Sequence, residues 1–118
     1  MSEIIKKSNI SIEVGLDKTN HPLMIEWSAS DANYDQKKQT TALMLSVWET
    51  IDKSALRVDL WTPEMPVNEM MDFYYQIFIG MAKTLDTATH NTELKEKILQ
   101  FAQEFMNTYY KQENISKP

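Results

Sequence analysis

Three acidic residues, Glu13, Glu26 and Asp59, are the positions where catalysis could begin, because two carboxylates held a few ångströms apart can serve as acid and base in glycoside hydrolysis. All three fall on the polar side of alternating segments. Acid catalysis needs a carboxyl whose pKa is raised by burial, and a solvated strand face gives none, so the expected role is an open surface with Arg57 offsetting neighbouring acids across strands. His21 falls in a loop and His90 in a turn between helices, and neither has a carboxylate or second histidine at metal-ligand spacing. The chain has no cysteine, which removes thiolate nucleophiles, thiolate metal sites and disulfides. Only Gly15 and Gly80 are glycines, too few for a phosphate-cradling loop. No catalytic, cofactor-binding or metal site is expected, and the protein is read as a non-enzyme.

The residues left over suit contact with a partner. Met24 and Trp61 alternate onto the polar sheet face beside Arg57, and Trp and Arg are enriched at interface hot spots. Phe73 and Ile79 lie off the main apolar stripe of a long helix, making its middle apolar nearly all round, as for a helix wrapped by other elements or by a partner. Gly80 in the same helix predicts close approach of another element, or else a kink or ligand cavity. Of the eight methionines, Met24, Met44, Met65, Met70, Met71 and Met81 lie in the middle of the chain. Most of these six fall on core stripes, where Met fills irregular gaps, although a Met-lined pocket is the alternative.

The elements that must position these residues follow from hydrophobic period. Ile10, Ile12, Val14 and Leu16 alternate with Ser11, Glu13 and Gly15, then Leu23, Ile25 and Trp27 alternate after a turn closed by Pro22, which predicts a hairpin with a loop of about six residues. Asn33 and Gln36 resemble a capping box, and Thr41, Met44, Leu45, Trp48 and Ile51 hold helical spacing, so a helix is predicted over 34–51. Leu56, Val58 and Leu60 make a third strand. Pro66 suits the first position of a helix running to about residue 88. A last helix carries Leu94, Ile98, Phe101, Ala102, Phe105, Met106 and Tyr109.

The expectation is an α+β domain of chain order ββαβαα. Its three-stranded antiparallel sheet has order 2-1-3 and is covered on one face by the helices, since a one-faced sheet must bury its apolar side. The inward set is Ile10, Ile12, Val14, Leu16, Leu23, Ile25, Trp27, Leu56, Val58 and Leu60. A chain of 118 residues fits a single domain, with residues 1–8 and 111–118 flexible. A net charge of −5 argues against nucleic acid. The N-terminal residues lack the apolar stretch of about 7 to 15 residues that a secretory signal needs, and no run approaches the roughly 20 apolar residues of a membrane span. A cytoplasmic location without membrane insertion is expected.

Three blocks carry a family resemblance: Ile25-Glu-Trp-Ser-Ala-Ser-Asp31, Ala42-Leu-Met-Leu-Ser-Val-Trp-Glu49 and Leu56-Arg-Val-Asp-Leu-Trp-Thr-Pro-Glu-Met-Pro-Val-Asn-Glu-Met70. Together they resemble the gliding motility-associated protein GldC family of Bacteroidota. The resemblance implies a small soluble accessory or interaction protein of the gliding system, with no enzymatic activity, no cofactor and no catalytic residues to carry over. It leaves a protein partner expected but unnamed, and a homodimer through sheet edges or the apolar surplus around Phe73 and Ile79 is compatible with it. The competing function is a small-molecule binding module, with an apolar pocket between the sheet and the Met-rich helix.

Overall fold

A computed structural model describes residues 2–30 and 34–114. The elements are β1 (Ile10–Leu16), β2 (Pro22–Ala29), β3 (Tyr34–Thr40), β4 (Ala42–Glu49), β5 (Ser54–Trp61), α1 (Val67–Thr89) and α2 (Thr92–Gln112). The α+β class holds, but the order is five strands followed by two helices, not ββαβαα. The strands fall in one compact unit, Met1–Met65, and the helices in another, Pro66–Pro118.

The predicted helix over 34–51 is instead the pair of strands β3 and β4. Its helical spacing was shared with a strand alternation, Leu43, Leu45 and Val47 against Met44, Ser46 and Trp48, and short apolar runs fit both periods. Hairpin pairing with the neighbouring strands β2 and β5 decides between them. β3 is polar throughout yet is held in antiparallel register on β2, with Ile25 opposite Thr40, Glu26 opposite Gln39 and Trp27 opposite Lys38. Tertiary pairing overrides weak local preference here.

β1 and β2 form the expected hairpin, with Ile12 opposite Trp27, Glu13 opposite Glu26 and Val14 opposite Ile25. Their sheet has order β1-β2-β3, so β2 is central and the predicted order 2-1-3 is corrected. A register shift falls between Gly15 and Leu16. The loop is knotted by Asp17, whose Oδ1 accepts from the Thr19 N–H at 2.8 Å, the Thr19 hydroxyl at 2.9 Å and the His21 N–H at 3.0 Å. Asn20 supplies a positive φ of 65°, which Asn tolerates better than most residues.

β5 is the predicted third strand, but its neighbour is β4 and not β1, giving a separate two-stranded antiparallel sheet. Leu43 faces Leu60, Leu45 faces Val58 and Val47 faces Leu56 on one side, while Met44 faces Asp59 and Ser46 faces Arg57 on the other. Lys53 closes the intervening turn at a φ of 53°. The predicted inward set is largely overturned. Ile25 is completely buried and Ile12, Val14, Trp27 and Leu60 partly so, but Ile10, Leu16, Leu23, Leu56 and Val58 are exposed.

The helical unit holds the two helices expected after Pro66. Pro66 sits at the N-cap, one position before the predicted one, with extended backbone (φ −72°, ψ 150°), and its carbonyl accepts from the Met70 N–H at 3.0 Å. His90 ends α1 in the left-handed region and its N–H donates to the Asp86 carbonyl at 2.7 Å. Asn91 caps α2, its Oδ1 accepting from the Leu94 N–H at 3.1 Å. Such a cap is worth about 1 kcal/mol. Lys95 and Asp86 brace the turn at 3.5 Å. Between the helices, Phe78 packs edge-on against Phe101 and Phe105, each with centroids 5.3 Å away, and Tyr74 stacks on Phe105 at 6.2 Å. Ala82, Ala102 and Met106 are buried. Gly80 corrects an expectation: a Cβ built there meets nothing within 4 Å, so no close packing calls for it.

Candidate functional site

Alternation along β5 sends Arg57, Asp59 and Trp61 to one side of the β4–β5 sheet. Arg57 grips Asp59 two positions along its own strand. Its Nε donates to Asp59 Oδ2 at 3.2 Å and its Nη2 to Asp59 Oδ1 at 2.9 Å, while Nη1 donates to the Ser46 hydroxyl on β4. The fork geometry of guanidinium on carboxylate makes the arrangement directional. Ser46 escaped sequence reading because its partner is fixed only by the β4–β5 register.

Trp61, 58% exposed, stands at the end of this row. With Asp17, His21, Pro22, Asp59, Leu60 and Pro63 it lines a cleft of about 460 Å³. The Asp17 carboxyl is held below the usual carboxylate range, chiefly by the His21 backbone N–H and then by Thr19. His21 Nδ1 lies 2.6 Å from the Thr19 hydroxyl and 3.7 Å from Asp17 Oδ1. The cleft therefore offers an indole wall with the Asp17 carboxylate and the Arg57-paired Asp59 in its lining, a place for an apolar group.

Met24 belongs to β2, half-buried against Gly15, and so stands in a different sheet from Arg57 and Trp61. Phe73 and Ile79 are half-buried on α1 in the helical unit. Glu13 and Glu26 do come together, directly opposed across β1 and β2, but Lys37 Nζ sits 3.3 Å from Glu13 Oε1, and Asp59 belongs to the other sheet. This is a solvated strand surface on which one acid is paired with lysine. Among the described residues no three His, Asp or Glu side chains gather as cation ligands, and no helix is long and apolar enough to cross a membrane.

The helical unit holds a larger open groove of about 730 Å³, lined chiefly by Val67, Met70, Met71, Tyr74, Phe105 and Tyr109. Sequence reading placed Met70, Met71, Tyr74, Phe105 and Tyr109 on apolar stripes but did not foresee the groove between them.

The described residues form an α+β chain that exposes apolar and aromatic side chains on its β4–β5 sheet. The chain belongs to the gliding motility-associated protein GldC-like family, which it matches over residues 22–111. That span runs from the start of β2 to the last turn of α2 and carries the whole β4–β5 sheet. No curated protein and no solved structure matches the chain.

Proposed function

We propose that this protein is a non-enzymatic accessory protein of the gliding-motility system that acts in the cytoplasm by binding a protein partner. The observation that carries the reading is the β4–β5 sheet, which leaves Leu45, Val47, Leu56 and Val58 exposed on one side and Trp61 with the Arg57–Asp59 pair exposed on the other. Exposed apolar surface of this kind marks interaction sites, and membership in a motility-associated family supplies the setting. Trp61 and Arg57 are its anchors, with Met24, Phe73 and Ile79 as further contact positions.

The test is affinity recovery from the native cell with wild type and Trp61→Ala, read by mass spectrometry. Gliding components recovered with wild type and depleted with the variant support the reading; equal recovery removes Trp61 as an anchor. A second reading, a small-molecule binding module, draws on the Met-lined groove between α1 and α2. Native mass spectrometry showing a copurifying apolar ligand, lost in Met71→Glu, would favour it.

A further inference from the structure

β5 is hydrogen-bonded to β4 along one edge, and among the described residues no strand pairs with its other edge. A long apolar edge strand with unpaired backbone groups is a template for another strand. Here Leu56, Val58 and Trp61 are exposed, and the strand's only charges are Arg57 and Asp59. A two-stranded sheet is also marginal by itself, whereas three or more strands give independent stability.

We propose that the free edge of β5 pairs antiparallel with β5 of a second copy about a two-fold axis at Val58, joining two hairpins into one four-stranded sheet. The commitment to a second copy rests on the strand's own sequence, Leu56-Arg57-Val58-Asp59-Leu60, which is symmetric in size and antisymmetric in charge about Val58. With the axis there, Val58 meets Val58, Leu56 meets Leu60 of the second copy, and Arg57 meets Asp59 of the second copy, twice over. Residues directly opposite share a face in an antiparallel pair, so the apolar ladder of each hairpin continues into the other. On the opposite face the four charges alternate in sign, the favourable cross-strand arrangement.

Neighbouring registers fail by the same rule. An axis at Arg57 opposes two guanidiniums, an axis at Asp59 opposes two carboxylates, and a shift of one residue sets leucine against charge. The other free edges lack this combination: β4 carries only Glu49 and β1 only Glu13, so neither has opposite charges to set a self-complementary register, and β3 has no aliphatic residue to continue an apolar ladder. The contact is isologous and closed, as two-fold interfaces are. It uses the edge of β5 and leaves both its faces to other partners, so it stands apart from the motility reading above.

The experiment uses the full chain. Light scattering should give twice the 13.8 kDa chain mass. Arg57→Asp and Asp59→Arg, each checked for folding by circular dichroism, should each weaken the dimer about tenfold or more, because each sets like charges opposite one another. Mixing the two variants should restore association, since one then carries two acids and the other two bases, while neither has its internal ion pair back. A charge-neutral measurement fixes the register. The chain has no native cysteine, so Val58→Cys should oxidise to a linked dimer, its Cα atoms about 4.5 to 5.5 Å apart. Leu56→Cys should not, because its thiols lie four residues out of register, about 13 Å apart. A monomeric wild type at about 100 µM, a mixture no tighter than its components, or linking at residue 56 in place of 58 would overturn the proposal.

Discussion

Leu45 lies directly opposite Val58 across the β4–β5 sheet, yet the two residues remain 41% and 48% exposed. An apolar cross-strand pair ordinarily forms part of a core. Here the pair contributes its contact while a large share of its area stays in water. Ile25 on β2 is the contrast, fully enclosed at 0%.

Ile25→Ala should therefore cost about 2 to 5 kcal/mol, the range for truncating a buried aliphatic side chain. Leu45→Ala should cost clearly less, about 1 to 2 kcal/mol, because its transfer term is reduced and little cavity forms. Urea unfolding followed by tryptophan fluorescence reads both, since all three tryptophans lie in the strand unit. A Leu45→Ala loss equal to that of Ile25→Ala would mean that this face is covered in solution.

The difference between those two residues also marks how far the sequence could be read. The alternations of β1, β2 and β5 and the stripes of α1 and α2 are local signals, and the strands and helices they predict are present, although half of the predicted inward set is exposed. Residues 34–51 form strands rather than a helix although Met44, Leu45 and Trp48 satisfy a helical period, because Leu43, Leu45 and Val47 also satisfy a strand and pairing with the adjacent β2 and β5 decides. The division into two sheets separates Met24 from Arg57, which alternation alone had put on one face. Arg57 and Trp61 stayed together because they share a strand. Ser46, Asp17 and His21 could join their surroundings only once strands were placed beside one another.

Gly80→Ala should stabilise the helical unit by about 1 kcal/mol. Mid-helix Gly is less favourable than Ala by that amount, and the new methyl meets nothing within 4 Å. Thermal unfolding at 222 nm should show a raised midpoint. A lowered midpoint would restore the idea of a close neighbour at that turn.

Thr62 follows β5 and is 2% exposed, its N–H donating to the Thr41 carbonyl at 2.9 Å. Its hydroxyl finds no hydrogen-bond partner among the described residues. A buried polar atom without a partner costs about 1 to 3 kcal/mol. Thr62→Val keeps the branched shape and removes that cost, so the urea midpoint should rise by an amount corresponding to about 1 kcal/mol. A fall would show that the hydroxyl is satisfied in solution.

Asp17 gives the hairpin a pH dependence whose sign is fixed by its hydrogen bonds. The His21 and Thr19 N–H groups and the Thr19 hydroxyl all donate to the ionised carboxylate and hold its pKa below the ordinary 3.8. A depressed folded-state pKa means that the unfolded chain takes up a proton first as acid is added. The stabilisation is thus complete above the ordinary value and is lost as pH falls below it through the lower folded-state pKa. Titration followed by carboxyl carbon shifts should place the Asp17 midpoint below the ordinary aspartate value of 3.8. Asp17→Asn should be less stable than wild type at pH 7, with the gap closing toward pH 2. A gap that is constant with pH would assign the effect to loop geometry rather than to the charge.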